Sequence, residues 1–150
     1  MRYFLDTEFN GFAGALLSLA LVPDEGEELY LKLAFEEAYE PWVERHVAPY
    51  LDMVPPAHRT EPLHRHAAAE AVAYYLRGDP EPLIVADWPE DIAQFSMLLL
   101  TGPGTMIDVP PLTFRLLPLP GFSTAANSAV PHNALHDARA LRDHVLSHLE

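Results

Sequence analysis

Apolar and polar positions along the 150-residue chain fall into short blocks whose period changes near residue 40. Residues 2–9 read as a first strand, an apolar run interrupted by two acids. "ALLSLALV" at 15–22 and "ELYLKLAF" at 28–35 read as two more. Asn10-Gly11 is turn chemistry that favours positive φ and marks the start of a hairpin, and "PDEGE" supplies the Pro, Asp and Gly of a second turn. Three antiparallel strands are the expected opening of the fold.

The period then lengthens. "EPWVERHVAPYL" at 40–51 predicts a short helix, and "LHRHAAAEAVAYYLRG" at 63–78 predicts a longer one closed by Gly78, with the proline-rich loop "DMVPPAHRTEP" between them. "EPLIVAD" at 81–87 predicts a buried strand, and "PEDIAQFSMLLL" at 89–100 returns to helical spacing. "TMIDV" at 105–109 reads as a further strand, 110–131 as irregular, and "NALHDARALRDHVLSHL" at 133–149 as a closing amphipathic helix. No repeat or low-complexity segment interrupts this order. It predicts an α/β fold in a single domain over 1–150: three antiparallel strands, then alternating helices and strands, forming one mixed sheet flanked by helices.

Composition narrows the partners. Apolar residues make up 49% of the chain and mean hydropathy is near zero, as expected of a globular domain with a real core. The absence of cysteine excludes a disulfide framework, a thiolate zinc site and a cysteine nucleophile. No basic-then-apolar leader opens the chain, and the longest apolar stretch, "GALLSLALV", is too short to span a bilayer. The expected location is cytoplasmic, with no membrane partner. A formal charge of −13 argues against a broad electrostatic footprint on duplex nucleic acid, which needs many Lys or Arg contacts to phosphate. It leaves room for a short strand held by cations and a few local contacts.

Asp6 and Glu8 stand one residue apart on the first strand, so they project from the same face, roughly 6.6 Å apart at about 3.3 Å rise per residue. Two like charges on one half-buried face either raise a pKa or call for a cation. Asp91 opens the second helical stretch after a strand, and His132 and Asp137 open the last. Each has an ordinary reading alone. Asp91 suits a helix first turn, Asp137 has Arg139 and Arg142 to pair with, and His132 lies in a loop. Asp87, with Glu90 three residues on and Pro89 between, fits a helix N-cap.

Together, in this order, "DTE" on the first strand, "EDIAQF" opening a central helix and "HNALHD" opening the last resemble the motifs of the DEDDh 3′-5′ exonucleases. These are a branch of the ribonuclease H-like superfamily that includes oligoribonuclease and ribonuclease T. The chain looks most like the small bacterial exoribonucleases described as polyadenylate-specific, which share an "RYF-DTEF" opening, a helix seen here as "WVERHVAP" and an ending like "H-AL-DAR". The resemblance covers nearly the whole chain. It implies a ribonuclease H-like sheet and hydrolysis of single-stranded or 3′-overhanging RNA from its 3′ end, releasing nucleoside 5′-monophosphates. DNA as substrate, a non-catalytic 3′-end binding module of the same fold, and an unrelated acidic interaction domain are the competing readings.

Residue by residue, the resemblance implies that Asp6, Glu8 and Asp137 bind one divalent cation, Mg²⁺ or Mn²⁺, that Asp6 also binds a second, and that Asp91 acts on the second through water. His132 would be the general base, with His136 the competing candidate four residues on. Phe9, Asn10 and Gly11 would contact the terminal nucleotide, and Phe12 would stack on a base. Arg45, Arg59 and Arg65 are the phosphate-contact candidates. The polar residues common before the third acid in the family are replaced here by Ala86, Asp87 and Trp88. Relatives of this kind are often dimers, so a homodimer is compatible with the resemblance.

Overall fold

Alternating apolar residues at both faces of Arg2–Phe9 make it the inner strand β1, described with the rest of residues 1–148 by a computed structural model. It pairs antiparallel with β2 (Leu16–Pro23), which in turn pairs with β3 (Leu29–Lys32). The third strand is half the expected length: past Lys32 the regular ladder ends, and Leu33, whose amide still donates to the Leu17 carbonyl, also forms an isolated parallel bridge with Leu63. Helix α1 spans only Pro41–His46. Pro49, which has no N–H and whose ring clashes one turn back, stops it, and a short 3₁₀ turn at Ala48–Tyr50 follows.

A second 3₁₀ turn, Pro56–His58, sits in the proline-rich loop before α2 (Arg65–Leu76). That helix ends on a right-handed Arg77, and Gly78 is not among the positive-φ residues, so the expected left-handed glycine cap is absent. Strand β4 (Leu83–Ala86) runs parallel to β1, and α3 (Pro89–Leu98) stops short of Leu100 because that residue enters a small separate hairpin, β5 (Leu100–Gly102) with β6 (Thr105–Met106). The "TMIDV" strand thus lies outside the main sheet. Its place at the sheet edge is taken by β7 (Thr113–Leu116), inside the segment expected to be irregular. Short α4 (Thr124–Asn127), capped by Ser123, and long α5 (Ala134–His148) complete the chain; residue 149, the expected end of the last helix, lies outside the described residues.

The main sheet has the order β3-β2-β1-β4-β7, mixed as expected, with β1 near its centre. Odd residues of β1, Tyr3 and Leu5, pack with Ile84, Ala86 and the apolar faces of α2 and α3. Even residues face the other way: Phe4 joins Ala20, Val22, Val85 and the Ala134, Leu135, Ala138 and Leu141 face of α5. Helices on both faces bury the sheet's centre, which is the layer logic of α/β domains. No helix among the described residues is long and apolar enough to cross a membrane.

Candidate active site

Pairing of β1 with β4 runs from Arg2↔Leu83 to Phe4↔Val85 and stops, whereas pairing with β2 continues to Glu8↔Ser18 before a bulge at Phe9. The two parallel strands part at their C-terminal ends, the place where open α/β sheets form ligand crevices. Asp91, buried in the first turn of α3, occupies the gap: its Oδ1 accepts from the Thr7 amide at 3.1 Å and from the Thr7 hydroxyl at 2.6 Å. Asp6, at 8% exposure, lies beside it on the α5 side of β1, and Asp87 follows the end of β4. Carboxylate oxygens of Asp6, Asp87 and Asp91 all lie within 4.8 Å of one another.

Asp87 is therefore not the helix cap that its spacing predicts. Trp88 holds the N-cap position of α3 without a side-chain bond, and Pro89 opens the helix, where its missing N–H costs nothing. Glu90 does not reach back to close a capping box. Its Oε2 instead accepts from the Ala13 amide at 2.8 Å.

The start of α5 supplies the other half of the site. Asn133 caps it, its Oδ1 accepting from the amides of Leu135 and His136 while its Nδ2 donates to the Tyr50 carbonyl. His132, just outside the helix, takes a left-handed backbone with φ of 62°, uncommon for a non-glycine residue. Asp137, one turn in, is buried, and Glu8, His132 and Asp137 form a second group with ligand atoms within 4.8 Å of one another. Its neighbours in sequence pair elsewhere, Arg139 with Glu28 and Arg142 with Asp143 at 2.8 Å and Glu28 at 3.6 Å. His136 points elsewhere too, with Nε2 2.9 Å from the Met53 carbonyl oxygen.

Crowded burial controls the electrostatics. Burial, then the charges of Asp91, Glu8, Asp137 and Asp87, pushes Asp6 well above the usual carboxylate range. Glu8 rises to about 9 through burial and then Asp137 and Asp91. Asp91 rises to about 7, held back by the Thr7 hydrogen bonds, and Asp137 to about 6, held back by the Ser128 hydroxyl and the His132 amide. Burial also raises Asp87. It lowers His132, with His46 adding to the effect, so the imidazole favours its neutral form.

Three buried side-chain oxygens have no hydrogen-bond partner among the described residues, and two of them, Asp6 Oδ2 and Asp137 Oδ1, are carboxylate oxygens of the site; the third is Ser18 Oγ. Orphaned buried carboxylate oxygens are costly, and a hard divalent cation is the ligand whose chemistry answers them. The residues present fit that group. The distribution differs from the expected one, since Asp6 groups with Asp87 and Asp91, and Glu8 and Asp137 group with His132. Asp87 is the functional candidate that sequence reasoning set aside; its signal was three acids within five positions, which helix-cap spacing explained too readily.

Around the acids, the loop after Glu8 is fixed from two sides. Asn10 Oδ1 accepts from the Glu40 amide and its Nδ2 donates to the Ala38 carbonyl, while Gln94 donates to the Gly14 carbonyl at 2.9 Å. Gly11 has φ of 78°, a left-handed backbone that glycine adopts without strain, and a Cβ there would press on the Glu40 side chain at 3.2 Å. Phe9 is half-buried at the bulge, whereas Phe12 at the loop tip is 95% exposed. Arg65 shares with Phe12, Pro89, Glu90 and Met97 a cleft of about 660 Å³. Arg45 and Arg59 are turned back by their Nε atoms onto the carbonyls of Pro41 and Val54.

No family model matches the sequence, and the search of curated proteins finds no match.

Proposed function

We propose that the chain is a two-metal-ion 3′-5′ exoribonuclease that hydrolyses single-stranded or 3′-overhanging RNA and releases nucleoside 5′-monophosphates. The observation that carries this reading is the meeting of five acids and a histidine from β1, the end of β4, α3, and the approach and first turn of α5, with two buried carboxylate oxygens left unpartnered. Asp6, Asp87 and Asp91 would hold one cation and Glu8, Asp137 and His132 would surround the other. Such ions supply Lewis acidity at phosphorus and a strong nucleophile at neutral pH.

The protein's own groups do the rest. His132, held largely neutral by burial, is suited to accept a proton from the attacking water. Thr7 fixes one oxygen of Asp91 and leaves the other free. Phe12, exposed at the loop tip, offers a sequence-tolerant stacking surface for a base, and Arg65 lines the same cleft. The strongly acidic remainder of the surface limits contacts to a short stretch of strand.

The test is shortening of 5′-labelled linear RNA and linear DNA, beside body-labelled circular RNA, with Mn²⁺ or EDTA. Stepwise shortening of linear RNA that requires Mn²⁺, with the circle intact, is the expected result. Cutting of the circle, or undiminished activity in EDTA, would exclude the proposal, and faster digestion of DNA would reassign the substrate.

A further inference from the structure

Trp42 is a large apolar ring that the core does not need. It is 49% exposed, and the buried residue of its helix is Val43, which packs with Leu17 and Val47. Its ring instead touches two imidazoles: His46 on its own helix at 4.8 Å between centroids, and His132 across the fold at 4.9 Å in an edge-on contact with planes at 77°. Edge-to-face contacts at this separation are favourable and directional. His132 sits on a left-handed residue in the approach to α5, and among the described residues Trp42 is the aromatic ring packed on it.

The placement of Trp42 is itself tied to the acids. Glu40, the residue preceding α1, donates its amide to Asn10, which lies two residues beyond Glu8 on the same strand and loop. Strand, loop, helix and ring thus form a short chain of fixed contacts from Glu8 round to His132, which closes back on Glu8 and Asp137.

We infer that Trp42 is a positioning residue that fixes the His132 imidazole over the Glu8 and Asp137 carboxylates. The inference rests on the exonuclease reading for its catalytic consequence, and on geometry alone for the placement. Without the indole edge, the imidazole is free to leave the carboxylates, and a displacement near 1 Å costs a reaction about 10²-fold.

The experiment measures single-turnover RNA cleavage in Mn²⁺ against enzyme concentration for wild type, Trp42→Ala, Trp42→Phe, His132→Ala and the Trp42→Ala/His132→Ala double variant. It also records the His132 ring-proton resonances of the wild-type and Trp42 proteins. Expected are a fall of about 10²-fold in the maximum rate for Trp42→Ala, half-saturation changed by less than about twofold, most of the rate restored by Trp42→Phe, and no further loss when Trp42→Ala is added to His132→Ala. The His132 ring protons should shift on loss of the indole ring current. A rise in half-saturation with the maximum rate intact would make Trp42 a surface for the base and overturn the inference, as would a full additional loss in the His132→Ala background. If wild type cleaves no nucleic acid, the exonuclease reading falls and the ring protons alone decide: a shift in Trp42→Ala upholds the placement, and unchanged resonances overturn it.

Discussion

The Nε2 atom of His136 lies 2.9 Å from the carbonyl oxygen of Met53, which ties the first turn of α5 to the loop after the 3₁₀ turn. The contact takes that imidazole out of the site and leaves His132 as the histidine grouped with Glu8 and Asp137. His132→Ala should lose on the order of 10²- to 10⁴-fold in rate with little change in melting temperature. His136→Ala should do the reverse, costing about 1 kcal/mol of stability for the lost hydrogen bond and leaving the rate near wild type. Melting curves paired with single-turnover rates check both.

The buried acids are expected to work against folding when no cation is bound. Asp6→Asn, Glu8→Gln and Asp137→Asn should each nearly abolish hydrolysis, yet in EDTA at pH 8 each should melt higher than wild type, by about 2–4 °C for every kcal/mol of relieved repulsion. Calorimetric melts of apoprotein would show it. Unchanged or lower melting temperatures would mean that the carboxylates are better compensated than their unpartnered oxygens indicate.

The same repulsion sets a pH dependence. Glu8 titrates near 4.5 in an unfolded chain and at about 9 in the fold, and Asp91 moves from 3.8 to about 7. Between each pair of values the folded protein keeps a proton that the unfolded chain has released, so stability falls as pH rises. His132 acts in the opposite sense, but only below its ordinary value of 6.5. The metal-free melting temperature should therefore decline from pH 7 to pH 9, and saturating Mg²⁺, by favouring the ionised carboxylates, should remove most of the decline.

At the second corner, Asp87 and Asp91 should separate by the work each does. Asp91→Ala leaves the Thr7 amide and hydroxyl without an acceptor and should cost about 1–3 kcal/mol as well as activity, whereas Asp91→Asn retains an acceptor and should lose activity more than stability. Asp87→Asn should keep the fold and weaken Mn²⁺ binding, since it caps no helix. Titration calorimetry with Mn²⁺ distinguishes the two.

The first three strands, Asp6 and Glu8 on one face, and the closing helix with His132 just before it were legible because a half-buried strand and an amphipathic helix leave periodic signals. Strand β7 was not. Thr113-Phe114-Arg115-Leu116 alternates polar and apolar, but it is only four residues long, exposed along its length and preceded by Pro110-Pro111, so the alternation is too short to stand out, and its pairing with β4 is a purely tertiary event. The β5–β6 hairpin was hidden for a related reason: Leu99 and Leu100 continue the apolar run of α3, and only the return from Thr105 draws Leu100 out of the helix. Asp87 was misread because the Asp-x-x-Glu spacing is common to helix caps and acid clusters; Glu90 was already engaged by Ala13, a residue 77 positions away. Nor could spacing show that Arg139 pairs with Glu28, a residue from the other end of the chain.

Where β1 and β4 part, the Thr7 amide has exchanged a backbone partner for the side chain of Asp91. Its neighbours in the ladder are guarded by strands and open to water only when the sheet opens. The Thr7 amide is guarded by one carboxylate, and its solvent exchange has a second, cheaper route through rotation of that side chain. One backbone hydrogen in the middle of the sheet thus acts as a clock for the site. Its exchange should quicken when Asp91 swings away or is replaced by Ala, and slow when the carboxylate is pinned, while the exchange of Leu5 and Phe4 beside it stays the same.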